Sequence, residues 1–159
     1  DLTKLGLTDT SIYLSENEFT DCIRPKNDTI LLSKDGTVGI AYKMNKDENI
    51  ITSSAILHLD IKDNRVLPDY LTLVLNSVAV KMQAEKDAGG SIINHWKKSE
   101  IENVIIPIIA KEKQEQISKL LIESEILRSK SKSILEKAVK AVEMAIEYGE
   151  DKTIAYLNS

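Results

Sequence analysis

Lys86, Ser91, Asn94, His95, Lys97 and Lys98, gathered around Trp96, form the densest set of hydrogen-bond donors in the sequence. Asn and His side chains address base edges, Lys addresses phosphate or guanine, and a serine-rich backbone can approach a phosphate closely. Two further polar loops are of the same kind. Lys34 and Thr37 flank the tip of Lys34-Asp35-Gly36-Thr37, and Ser53-Ser54 lie between two apolar runs. The chemistry these residues offer is polar recognition, with nucleic acid as the ligand that suits them. The plainer reading of the 86–98 segment is a solvated surface loop with Trp96 anchored in the core.

Bond-making chemistry has much less to stand on. The Gly89-Gly90-Ser91 stretch lacks the length and the lysine of a phosphate-binding P-loop. His58 falls in an apolar strand and His95 in a polar loop, neither with a second ligand at metal spacing, so no metal site is expected. Ser33, Ser53, Ser54 and Ser91 have no partnered base in sequence and read as turn hydroxyls. Leu67-Pro68-Asp69-Tyr70 has one proline and lies at a helix start, so it is not the Asn-Pro-Pro-Tyr box of an adenine methyltransferase. No catalytic residue is expected in the chain.

The elements that must carry these loops follow from length and pattern. The 159 residues are 42% apolar and 29% charged, enough for one domain with a core, and no apolar run approaches the ~20 residues that span a bilayer. A lone Cys22 and the absence of a CxxC motif favour a reducing, cytoplasmic setting. The sequence opens at Asp1 with neither an initiator Met nor a signal peptide, as expected of a piece of a longer protein. Residues 1–110 carry 12 basic and 16 acidic side chains, and no half of the chain is globally basic. A DNA ligand would therefore be gripped largely through other chains, since phosphate neutralisation supplies most of such affinity.

To about Ile106 the pattern is short apolar runs broken by turn residues: 11–14, 29–32, 38–42, 50–52, 55–59 and 104–106 all have strand length. Asp35-Gly36 predicts a tight hairpin turn between the second and third of these. Pro68 suits the first turn of a helix, and Tyr70, Leu71, Val74, Leu75, Val78 and Met82 succeed it at 3-4 spacing, predicting one buried face; residues 86–91 then end the helix in a loop. From Lys111 no Pro or Gly occurs until Gly149, which predicts one helix over 111–148, about 57 Å long at ~1.5 Å per residue and much of it projecting. Leu120, Leu127, Ile134, Ala141 and Tyr148 recur every seven residues, with Ala138 and Ala145 at the companion position and Ser124 and Ser131 interrupting it. Such a stripe asks for a helical partner, and its serines favour antiparallel pairing within a larger assembly. Gly149 can end the helix, and 149–159 reads as a short tail in which a further turn could restart. The fold class is α+β: a small twisted β-rich domain over 1–110, incomplete at its N-terminus, then the long helix and the tail.

The order of these segments resembles the specificity subunits of type I restriction-modification systems. The resemblance rests on residues 26–39, Lys-Asn-Asp-Thr-Ile-Leu-Leu-Ser-Lys-Asp-Gly-Thr-Val-Gly, on the Leu67-Pro68-Asp69-Tyr70-Leu71 helix start, on Gly90-Ser91, and on the 99–108 segment leading through Glu115-Gln116-Ile117 into the long helix. Asn27 stands where that family usually has Gly, a tolerable exchange because Asn also adopts turn conformations. The resemblance implies a target recognition domain that reads one half of a split double-stranded DNA site. It further implies a helix that packs antiparallel on its counterpart, in a second copy or a second half, as spacer and docking site for a DNA adenine methyltransferase subunit. S-adenosylmethionine would belong to that partner, with a restriction nuclease subunit as a further candidate and no cofactor in this chain. The alternative is a protein-interaction module: a coiled-coil helix with a protein-binding head.

Overall fold

Ile30, Leu31 and Leu32 are fully buried, and with Ser33 they form a strand with no exposed face. A strand covered on both sides reads in sequence as an unbroken apolar run, which is how this one was legible. The computed structural model describes residues 1–8, 10–88 and 94–158, and the chain divides into two compact units, Asp1–Ser118 and Lys119–Ser159. In the first, β1 (Leu2–Thr3) and β2 (Gly6–Leu7) make a small antiparallel pair. The central strand β3 (Ile30–Ser33) lies between β4 (Ala41–Lys43) and β5 (Ile56–Leu59), antiparallel to both, with Leu31 opposite Tyr42 and His58.

The link from β3 to β4 is wider than the tight Asp-Gly turn expected. Positive φ falls at Gly36 (73°) and Gly39 (78°), whereas Asp35 keeps an ordinary backbone and bridges to His95. Ser33 closes the loop: its hydroxyl donates to the Thr37 carbonyl (2.6 Å) and accepts the Ile40 N–H (2.9 Å). In the turn before β3 it is Asp28 (φ 66°), not Asn27, that takes the left-handed conformation.

Three of the runs expected to be strands, 11–14, 50–52 and 104–106, have no ladder partner among the described residues. At Ile105 the reason is visible. Its N–H donates to Gln83 Oε1 (2.9 Å) and its carbonyl accepts from Gln83 Nε2 (3.0 Å), so a side-chain amide stands in for a neighbouring strand.

Helix α1 (Pro68–Leu75) starts at the proline, as expected, but ends early; α2 (Val78–Ala88) begins after a break at Asn76-Ser77. Asn76 leaves the helix because its amide serves β4: it accepts the Ala41 N–H (3.1 Å) and donates to the Ala41 carbonyl (2.7 Å). The break changes which face of α2 turns inward. Val78 and Met82, expected on the buried face, are exposed, and Val80, Ala84 and Ala88 are buried in their place. Lys86 therefore sits in the last helical turn of α2, not in a loop. The core joins Ile30, Leu32, Ala41, Tyr70, Val74, Leu75, Val80 and Trp96, with Ile117 packed against it.

After the short α3 (Lys98–Ile101), the long α4 runs from Lys111 to Tyr148. Its first turns hold Gln114, fully buried, which accepts the Leu67 N–H (2.9 Å) and donates to the carbonyls of Arg65 (2.9 Å) and Ile109 (2.8 Å). In the second unit, Gly149 (φ 83°) separates α4 from α5 (Glu150–Leu157), so most of the expected tail is helical.

Candidate nucleic-acid interface

Antiparallel pairing puts the end of β3 and the start of β5 at the same edge of the sheet, so the 34–40 loop and the 53–55 turn leave it together. Backbone hydrogen bonds join them to a third segment. Lys34 N–H donates to the Ala55 carbonyl (2.8 Å), the Lys34 carbonyl accepts from Trp96 N–H (2.7 Å), and Gly36 N–H donates to the Asn94 carbonyl (2.9 Å). Trp96 is fully buried and the adjacent His95 is exposed, as alternation along an extended segment requires, and Asn94 at the start of the segment is exposed as well. One indole in the core thus anchors the segment that carries the polar side chains outward. Trp96 belongs to the core, as the plainer reading of this segment has it, and the polar residues are exposed around it.

Charge at this edge is largely cancelled from within. Asp35 binds Lys34 Nζ through one oxygen (2.7 Å) and His95 Nδ1 through the other. The Lys34 ammonium, with His95 assisting, holds the Asp35 carboxyl below the usual carboxylate range. Glu100 accepts the Lys97 N–H (2.9 Å) and faces its ammonium (3.2 Å), contacts that lower its carboxyl as well, and Lys98 lies 3.7 Å from Glu102. Exposed pairs of this kind contribute little, being screened by solvent, so Lys97 and Lys98 can exchange carboxylate for phosphate at little cost. The lasting features of the edge are the uncharged donors and acceptors Thr37, Ser53, Ser54 and Asn94, with the His95 imidazole beside them, all exposed.

Lys34, Thr37, Ser53, Ser54, Asn94, His95 and Lys97 therefore come from three loops tied to one sheet edge, and Lys98 begins α3 beside them. Lys86 stands apart on α2, and Ser91 lies outside the described residues. Reading the sequence misses Asp35, which it marks only as a turn residue, and the carboxylates Glu100 and Glu102. It also misses a groove of about 620 Å³ beside Ser53, lined by Ile12, Tyr13, Arg24, Asn49 and Ile51 among others. Tyr13 is 87% exposed there, and nothing in the strand-like pattern of 11–14 signals it. The opposite end of the sheet holds a cavity of about 490 Å³ lined by Asp28, Asp60 and Asp63 with Lys62 and Lys111, an acidic lining that does not suit a phosphate backbone.

In the second unit Leu120, Leu127, Ile134 and Ala138 are exposed, while Ala145 is half-buried and Ala141 buried. Lys137 Nζ donates to the Leu157 carbonyl (3.2 Å), and the Tyr156 ring lies under the ammonium groups of Lys137 and Lys140, so α5 folds back beside the last turns of α4. Ala141 is thereby covered by its own chain, and the stripe open to a partner is shorter than the heptad pattern implies.

His58 is committed to structure: its Nε2 bonds Thr52 Oγ1 (2.9 Å), and burial pushes its imidazole below the usual range. Among the described residues no group of three or more His, Cys, Asp or Glu could hold a metal ion, and no helix is long and apolar enough to cross a membrane. No curated protein matches the chain. A family model described as the type I restriction modification DNA specificity domain matches residues 2–136, taking in the three loops, the sheet that holds them and most of α4. With most of its length so matched, the chain belongs to the family of type I restriction-modification specificity domains, and its polar sheet edge is read in that light, as part of a protein whose role is DNA recognition.

Proposed function

We propose that the chain reads one half of a bipartite DNA target through the loops at 34–37, 53–54 and 94–98, and that it does no chemistry itself. The observation that supports this most is the hydrogen-bonded convergence of those three loops on one edge of the sheet. Residues 1–110 serve as the recognition domain, 111–148 as the spacer, and 149–159 as the tail. The apolar face of α4 pairs antiparallel with a second copy or a second half, and the assembly docks a DNA adenine methyltransferase that carries S-adenosylmethionine. A restriction nuclease subunit joins through the same complex, in the cytoplasm.

The test is binding of the assembled complex to its target duplex. Replacing Lys97 and Lys98 by Ala should weaken binding across sequences, because two phosphate partners are lost; unchanged affinity removes that loop from the interface. Co-purification of the chain with a stoichiometric adenine methyltransferase supports docking, and a clean preparation without one counts against it. The internal charge cancellation at the sheet edge favours one competing reading, a head that binds protein. Such a head would bind its partner with little dependence on salt, whereas a DNA reader loses affinity steeply as salt rises.

A further inference from the structure

We propose that His95 reads an exocyclic amino group, adenine N6 or cytosine N4, in the major groove of the target, with Asp35 as the positioning residue that fixes its tautomer. The proposal rests on the reading of this sheet edge as the DNA interface.

His95 Nδ1 is bonded to Asp35 Oδ1, and Asp35 is a carboxylate, which accepts hydrogen bonds and cannot donate. The proton between them therefore belongs to Nδ1. In neutral imidazole that leaves Nε2 with a lone pair and no proton, an acceptor. Nε2 has no partner among the described residues, and the side chain is 56% exposed. In the major groove adenine and cytosine each present an amino donor, whereas guanine and thymine present only acceptors at the corresponding edge. An acceptor held in place thus attracts the first pair and is repelled by the second.

Holding it in place is the distinctive part. Lys34 Nζ occupies the other oxygen of Asp35 at 2.7 Å, so the carboxylate is pinned from both sides. The backbone on either side of His95 is also fixed, by Gly36 N–H to the Asn94 carbonyl and by Trp96 N–H to the Lys34 carbonyl, with the Trp96 indole buried. Sites that discriminate need this support, because a ring free to turn would offer donor and acceptor alike. Among the described residues the charged groups around His95 are Asp35 and Lys34 from the β3–β4 loop, Lys97 just before α3 and Glu100 within it. A second proton on the ring would turn Nε2 into a donor and reverse its preference toward guanine.

The experiment uses the chain assembled with its methyltransferase. Selection from random-sequence duplexes defines the target, and single-base changes then give the discrimination at each position for the wild type, His95→Ala, Asp35→Ala and Asp35→Asn. The expected result is one position, adenine or cytosine, at which His95→Ala loses roughly 5- to 150-fold of discrimination while the other positions keep theirs. Replacing that base by its amino-free analogue, purine for adenine or 2-pyrimidinone for cytosine, should weaken wild-type binding by a similar factor and leave His95→Ala unaffected; the two arms identify the base. Asp35→Ala should lose discrimination at that same position and Asp35→Asn, which keeps an acceptor for Nδ1–H, should restore most of it. Guanine or thymine at the dependent position, or unchanged discrimination in His95→Ala, overturns the role of His95 while leaving the DNA reading intact. A wild-type complex that selects no sequence overturns both.

Discussion

Asn76 shows how much one amide can decide. Ala41 is fully buried on an edge strand, and the Asn76 side chain satisfies both its N–H and its carbonyl. Asn76→Leu leaves both groups unpaired, and an unpaired buried backbone group costs about 1–3 kcal/mol; urea unfolding should show a loss of at least that size with the m-value unchanged. Gln83 at Ile105 and Gln114 at Leu67 are the same device. None of the three was legible in the sequence, because an Asn or Gln gives no sign of a partner 22 to 47 positions away. Local chemistry is easier to read. Arg65 grips Asp63 through Nε and Nη2, the shorter bond being 2.6 Å, and these contacts bring the Asp63 carboxyl down to about 2. A carboxyl lowered in the folded state contributes stability above its ordinary value of 3.8, and that contribution is lost as pH falls through the folded value near 2. Carboxyl NMR titration of Arg65→Ala should find Asp63 only part of the way back toward 3.8, because the backbone N–H at position 65 still donates to its Oδ1 (2.9 Å), with less of a stability change between pH 4 and 2 than in the wild type.

Helices and strands differ in how far the sequence exposes them. The long α4 needs only a run free of Pro and Gly with a seven-residue stripe, and its bounds, Lys111 to Tyr148, are those the sequence predicts. Pro68 likewise marks the start of α1. Strand existence is harder, since 11–14, 50–52 and 104–106 have the composition of strands without a neighbour to pair with. Whether an apolar run finds a ladder depends on where remote segments fall. At the scale of α4, the exposed Leu127 and Ile134 are what a partner helix would bury. Replacing both with Asp should abolish helix pairing in sedimentation while the circular dichroism of the helix stays near its wild-type value. A double variant that sediments as the wild type does would leave the stripe without a helical partner.

For the whole molecule the balance of charge matters most. The net charge is −4, and the lysines at the candidate interface already face carboxylates. A complex in which this chain neutralises Z phosphates contributes about −0.9Z to the slope of log affinity against log salt. The assembled complex should thus show a steep slope to which this chain adds little: Lys97→Ala with Lys98→Ala should make it shallower by about two and no more. The candidate site was half legible at this scale. Residue types placed the polar loops at 34–37, 53–54 and 91–98, yet the union of their described parts depends on bonds between Lys34, Ala55 and Trp96 that no local pattern encodes.

The short α5 has a consequence for any such pairing. By folding back over Ala141, it would act as an end-stop for a helix paired along α4. A helix laid along that seam finds a clear track only from Leu120 to Ala138, about 27 Å at ~1.5 Å per residue. Slippage by one heptad, the usual ambiguity of a repeating stripe, would drive the incoming helix into Tyr156 and Leu157. In such a pairing the chain would carry its own ruler, with its zero mark set by the turn at Gly149.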